Sequence, residues 1–238
     1  MCTLPAFSLR DLHGQTRAFP TSRPALLCFV KADCPTCGIS MPLIEATYRA
    51  YGSRVAVWAV GQDLDNTLLV ERQQLNLPML DDSALQVSFQ YDIEIVPTLI
   101  LSDAGGNPLR RVVGFRQSEW VALFMALTQL TGLPAPAVDW SNYPAWRPGC
   151  GSRSVEPDIA ERLQADAAGS PLRARRIEIA PADDEFEFMF DQGLSDGLPL
   201  VPPTSERVLR MLEGTRRDAQ AVVAIVPPNM ATATVEKV

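Results

Sequence analysis

Two cysteines two residues apart, in Cys34-Pro35-Thr36-Cys37, carry the sharpest chemical signal in this sequence. The spacing lets both thiols lie within one helical turn and close as a disulfide. Ala25 to Val30 is an unbroken apolar run, as expected of a strand buried on both faces, and residues 36–50 show helical spacing through Ile39, Leu43, Ala46 and Tyr48. The pair therefore stands at a strand-to-helix junction, where unpaired N–H groups and the positive end of the helix dipole favour a thiolate at Cys34. Cys37, one turn further in, is expected to be more buried and to resolve a mixed disulfide. Lys31 would add positive potential and Asp33 would oppose it. Pro35 presets φ at the helix start and removes an orphan donor.

A CxxC pair can also be half of a zinc site, which needs a second pair of ligands. The other cysteines, Cys2, Cys28 and Cys150, are scattered, and the only histidine is His13. Redox chemistry is the stronger reading, and neither a metal nor a cofactor is expected. His13 lies in Asp11-Leu12-His13-Gly14-Gln15, which reads as an exposed turn. Cys2 reads as an exposed terminal thiol without a role.

The elements around the cysteines alternate. Phe7-Ser8-Leu9 and Arg17-Ala18-Phe19 flank the His13-Gly14 turn as a hairpin. Val55 to Val60 is a second buried strand, and the intervening helix implies a parallel crossover. Helices are expected over 66–75 and 84–91, a strand over 98–101, a turn at Asp103-Ala104-Gly105-Gly106-Asn107, a partner strand over 109–113 and a long helix over 118–130. Together they make a mixed sheet flanked by helices, an α/β fold.

Residues 1–132 resemble the thioredoxin superfamily, nearest in style to TlpA-like and MauD-like thiol–disulfide proteins. The resemblance rests on four features in order: Leu26-Leu27-Cys28-Phe29-Val30-Lys31-Ala32-Asp33-Cys34-Pro35-Thr36-Cys37, Pro42 five residues after Cys37, Ile95-Val96-Pro97-Thr98 as the cis-proline loop, and Gly105-Gly106 between the last two strands. It implies a thioredoxin-like fold in which Cys34 attacks, Cys37 resolves, and Pro35, Thr36, Val96, Pro97 and Thr98 shape the substrate groove. A cis Pro97 would leave Val96 to pair with an extended substrate. Many members bury an aspartate where this chain has Cys28, which puts fast reductase turnover in doubt; Cys28 is expected as a buried structural thiol. Peroxiredoxins share the fold and resemble Pro-x-x-x-Thr-x-x-Cys around the attacking thiol. Here the Thr slot holds Lys31 and the Pro slot Leu27, which disfavours a peroxidase.

From Gly132 the texture changes. Residues 133–156 are rich in proline and glycine and read as a linker. Within it Cys150 sits between Gly149 and Gly151; a bystander thiol is the plainer reading, a redox relay to a second domain the sharper one. Residues 157–238 read as a small α/β segment, with helices over 158–168, 183–191 and 204–213 and strands over 173–180 and 221–226. A helix is expected to begin at Ala233-Thr234-Val235-Glu236-Lys237-Val238, and the segment is expected to be incomplete. Residues 188–204 and 233–238 resemble the opening part of UGSC-like domains, without the motif that names them. Asp196-Gly197-Leu198-Pro199 and Val201-Pro202-Pro203 form a stiff loop before a helix capped by Thr204, read first as a structural connection.

The net charge is −7, with no basic excess in either half, which excludes a nucleic-acid partner. No apolar run reaches the roughly 18 residues of a membrane span. No secretory signal is visible at Met1-Cys2-Thr3-Leu4-Pro5, so a cytoplasmic setting, and with it the reducing direction, is expected. The function expected is a thiol–disulfide oxidoreductase acting on a disulfide, or an oxidised thiol or selenol, in a partner protein or attached domain, with an electron-donating reductase as second partner. The alternatives are a thioredoxin-fold binding module, which would need neither both cysteines nor Pro42 and Pro97, and a redox sensor.

Overall fold

The computed structural model describes residues 3–177, 179–180, 183–198 and 200–238, the side chains of Asp158 and Glu161 apart. The chain divides into two compact units, Met1–Glu156 and Pro157–Val238.

In the first unit, β1 (Phe7–Arg10) and β2 (Thr16–Phe19) form an antiparallel hairpin. Its turn is organised by Asp11, whose carboxylate accepts from the N–H groups of His13 (3.0 Å) and Gln15 (2.9 Å), leaving His13 exposed. The central strand β3 (Ala25–Val30) is buried along its whole length. Leu26, Leu27 and Phe29 are each removed from water entirely, worth about 1.5–3 kcal/mol apiece. After it come α1 (Pro35–Tyr51), β4 (Ala56–Gly61), α2 (Thr67–Gln73), β5 (Met79–Asp81) and α3 (Gln86–Gln90). Then follow β6 (Ile95–Val96), β7 (Thr98–Ser102), β8 (Pro108–Val113), β9 (Phe115–Arg116) and α4 (Gln117–Thr131).

The main sheet has the order β5-β4-β3-β7-β8. β3 pairs parallel with β4 through the α1 crossover and antiparallel with β7, so the expected mixed sheet is present. The short β5 extends it beside β4. α1 and α4 meet where the Tyr51 hydroxyl contacts the Phe124 carbonyl (3.3 Å) and Thr128 Oγ1 (2.9 Å). Pro42 lies inside α1 and has no N–H for the carbonyl four residues back.

Residues 133–156, read from their prolines and glycines as a linker, lie inside the first unit. They add a 3-10 turn over Trp140–Asn142, β10 (Trp146–Arg147), β11 (Cys150–Gly151) and a second 3-10 turn over Arg153–Val155. β10 pairs with β9 and β11 with β6. Trp140 and Tyr143 join the aromatic cluster of Phe115, Trp120 and Phe124, an apolar attachment that the absence of periodicity hides.

The second unit holds α5 (Pro157–Ala167), α6 (Glu185–Asp191), α7 (Ser205–Leu212) and a hairpin of β12 (Val222–Val226) and β13 (Ala231–Thr234). Asp184 caps α6 through the N–H groups of Phe186 (2.8 Å) and Glu187 (3.1 Å), and Thr204 caps α7. Two expectations are corrected. The described residues of 173–180 form no strand: the Arg173 N–H is taken by Glu236 Oε2 at 2.7 Å and its guanidinium by Asp166 and the Ser170 carbonyl. The last residues begin no helix either, because Ala231-Thr232-Ala233-Thr234 alternates with period two and pairs with β12, leaving only a 3-10 turn over Val235–Lys237. Among the described residues no helix is long and apolar enough to cross a membrane.

Candidate active site

The end of β3 delivers the chain through Lys31-Ala32-Asp33 to Cys34, which is the N-cap of α1. Its backbone is extended (φ −97°, ψ 111°), and its sulfur accepts the Cys37 N–H at 3.3 Å, so a sulfur does the work a capping oxygen does elsewhere. Both cysteines are reduced and nearly shut off from water, Cys34 at 2% exposure and Cys37 at 0%.

Their environments push the two thiols apart. The Cys37 thiol donates to the Cys34 sulfur; against the upward push of burial, the Cys150 thiol and the N–H groups of Cys37 and Thr36 add to it, bringing Cys34 down to about 5. Burial, followed by the hydrogen bond and charge of Cys34, holds Cys37 far above the ordinary thiol range. This is the pattern of a stabilised nucleophile beside a protonated resolving thiol. Lys31 and Asp33, the two opposed neighbours, pair with each other at 3.4 Å. Cys28 is fully buried, faces Ala59 and Leu99 in the sheet register, and is driven up by burial, so it stays an inert thiol. Cys2 lies outside the described residues.

The Ile95-Val96-Pro97-Thr98 loop lies against the pair. The Val96–Pro97 peptide bond is cis, and Cys34 Sγ lies 3.5 Å from the Val96 carbonyl oxygen. Val96, Pro97 and Thr98 are buried and Pro35 is exposed. The Thr98 hydroxyl turns back to the Ile95 carbonyl (2.7 Å), a bond internal to the loop, and the Thr36 hydroxyl donates to the Pro148 carbonyl (2.6 Å). Cys150 stands opposite Val96 in the β6–β11 pair. The structure thus brings Cys34, Cys37, Thr36, Val96 and Cys150 together.

Three residues not singled out from the sequence hold the site in place. Asp63 Oδ2 accepts the Ala32 N–H (2.6 Å) in the loop before Cys34, and its other oxygen binds Arg153 at 2.7 Å. Gln62 donates to the hydroxyls of Ser88 and Ser152 (both 2.8 Å) and accepts the Arg153 N–H (3.1 Å). Gln62 and Asp63 directly follow the buried strand β4, at the carboxyl edge of the parallel pair where the cysteines also lie. Polar residues at that edge were the available signal.

The chain matches the AhpC/TSA family over residues 2–111. It is 30% identical over 127 residues to the thiol–disulfide oxidoreductase ResA of Halalkalibacterium halodurans, covering 51% of this chain and 72% of that protein. The chain belongs to the thioredoxin superfamily of thiol–disulfide oxidoreductases. Among solved structures, a "putative protein disulfide isomerase" from Bacteroides thetaiotaomicron superposes with a TM-score of 0.52 at 15% identity, over 55% of this chain and 88% of its own. Peroxidoxin BcpB from Mycobacterium tuberculosis gives a TM-score of 0.47 at 17% identity, over 54% and 94%. A fold does not by itself fix a function, so the oxidoreductase's reaction has to be argued from its residues.

Proposed function

We propose that Cys34 and Cys37 are the redox pair of a protein-disulfide oxidoreductase. The observation that carries this reading is the Cys34 sulfur itself: it caps α1, accepts the Cys37 N–H, and lies against Val96 of the loop that would receive a substrate backbone. The Cys34 thiolate attacks one sulfur of a protein disulfide and forms a mixed disulfide, releasing the other sulfur as a thiolate. Cys37 gives up its proton and displaces the substrate from Cys34, closing the Cys34–Cys37 bond. A second dithiol protein restores the pair. Pro35, Thr36, Val96 and Pro97 shape the groove. The peroxidase alternative is disfavoured because Leu27 is buried in the sheet and Lys31 is paired with Asp33 where a peroxide site needs proline and threonine. For the second unit, the likeness to UGSC-like domains supports a role as the attached domain that the pair serves. The reducing direction and a cytoplasmic setting belong to this same reading.

The test is the equilibrium reduction potential of Cys34–Cys37 in glutathione and dithiothreitol buffers, with Cys34→Ser as control. A value near about −270 mV supports a reductase and one at or above about −180 mV an oxidant or isomerase. The lack of any reversible two-electron couple would refute the proposal.

A further inference from the structure

Residues 146–151 run across the cysteine pair and are tied down on both sides. Upstream, the Gln117 N–H donates to the Ala145 carbonyl (3.0 Å), and its side chain donates to the Trp140 (2.9 Å) and Tyr143 (2.8 Å) carbonyls. Downstream, the Ser152 N–H donates to the Glu94 carbonyl (2.8 Å), and the Ser154 hydroxyl to that of Ile93 (3.0 Å). Between these anchors the Pro148 carbonyl accepts from Thr36, and Cys150 pairs antiparallel with Val96. Gly149 makes the closest approach: a Cβ there would lie 2.3 Å from Ile95 Cγ2 and 2.5 Å from the Val96 oxygen. Cys150 thus stands opposite the residue whose carbonyl oxygen lies 3.5 Å from Cys34 Sγ. An extended substrate cannot take Val96 while this strand holds it.

We propose that Cys150 is a third redox cysteine of this site, exchanging disulfides with Cys34 inside the chain while its strand occupies the groove as a built-in substrate. This rests on the reading of Cys34–Cys37 as the redox pair. Starting from the Cys34–Cys37 disulfide, the Cys150 thiolate attacks Cys34 Sγ. The Cys34–Cys150 bond forms as the Cys34–Cys37 bond breaks, and Cys37 leaves with the electron pair and takes up the proton that Cys150 gave up. Nothing is oxidised or reduced overall, and attack by Cys37 on Cys34 reverses the step. Of the three thiols only Cys150 is partly exposed, so it is the one an external thiol reaches. A partner thiolate attacking Cys150 of the Cys34–Cys150 disulfide forms a mixed disulfide there and releases the Cys34 thiolate.

The experiment treats the full-length reduced Cys37→Ser variant with glutathione disulfide. One of the two thiols, Cys150 or Cys34, takes a glutathionyl group and releases one glutathione; the other then displaces the second. The expected product is a Cys34–Cys150 linkage by peptide mass mapping, with two glutathiones released per chain. A lasting glutathione adduct on either thiol, with the other open to alkylation, would overturn the proposal. Adding Gly149→Ala keeps every thiol but displaces the strand from Ile95 and Val96, and should slow closure at least about tenfold, roughly 1.4 kcal/mol of barrier. An unchanged rate would overturn the groove occupancy. Should Cys37→Ser fail to fold, acid-quenched wild-type protein poised in glutathione buffers must show some Cys34–Cys150 linkage, and its complete absence would overturn the proposal equally. Cys150→Ser separates the two readings: it should retain the Cys34–Cys37 couple. If that couple is missing there, the redox pair itself fails; if it is present while Cys37→Ser forms no Cys34–Cys150 bond, only this proposal fails.

Discussion

Titrating the reduced protein should find Cys34 ionising near pH 5, against 9.0 for an ordinary thiol. The gap, roughly four pH units at 1.36 kcal/mol each, sets an upper bound of about 5 kcal/mol on how far the fold favours the thiolate, before solvent screening is discounted. At pH 7 Cys34 would be about 99% thiolate, where an ordinary thiol is about 1%. The assay pairs thiolate absorbance at 240 nm with pH-dependent iodoacetamide alkylation, mapped by peptide mass so that the other cysteines are counted separately. Cys37→Ala removes the principal donor to the sulfur and Cys150→Ala a second one. A hydrogen bond to a charged group is worth about 1.5–3 kcal/mol, so each change should raise the Cys34 inflection by about one to two pH units. Folding stability should follow. Because the folded pKa is depressed, this contribution is fully present above about 9 and is lost as pH falls through about 5. The raised Cys28 and Cys37 act in the opposite sense, withdrawing stability as pH rises past the ordinary thiol range, so the reduced protein should be most stable near the foot of that range. An inflection for Cys34 at 8–9, or one that neither alanine moves, would refute this electrostatic account.

Gln62→Ala leaves Ser88, Ser152 and the Arg153 N–H without their buried partner and should cost about 2–4 kcal/mol, a melting-temperature drop of about 5–15 °C by calorimetry. Gly61→Ala places a Cβ 2.1 Å from Asn66 Oδ1, which accepts the Asp63 N–H (3.3 Å); it should destabilise the first unit and raise exchange at the Ala32 amide, read by hydrogen–deuterium exchange. Cys28→Ala should cost about 1–2 kcal/mol through the small cavity it leaves while the Cys34–Cys37 potential stays unchanged; a shifted potential would give Cys28 a role that its burial denies it.

The cysteine spacing, the buried runs at 25–30 and 55–60 and the Val96-Pro97 loop made much of the thioredoxin-like part legible, because each is a local pattern with a local cause. The segment 133–156 was not legible in the same way. Its strands are two residues long and show no period, and its hydrogen bonds run to Glu94, Ile93, Thr36 and Gln117, partners chosen by the fold and invisible to a window of neighbours. β5 escaped notice because Met79–Asp81 is too short to alternate, and its place depends on β4. Among the described residues of 173–180 no strand forms, the Arg173 N–H going to Glu236, and of residues 233–238, which read as a helix start, Ala233 and Thr234 pair with β12, a long-range partner that a local reading does not show. Cys150 was visible as a residue, and its meeting with Cys34 was not.

Asp63 grips Ala32 with one oxygen and Arg153 with the other, so the loop that presents Cys34 and the chain that lies over it share a single carboxylate. A piece cut at Gly132, where the sequence changes texture, would strand Gln62 and Asp63 at a newly bared surface and uncover the sulfur they help to frame. The compact unit that holds both loop and cover ends at Glu156. Any chimera, domain swap or directed-evolution library built on this chain inherits the cover together with the cysteine pair, and selection on one will drag the other along.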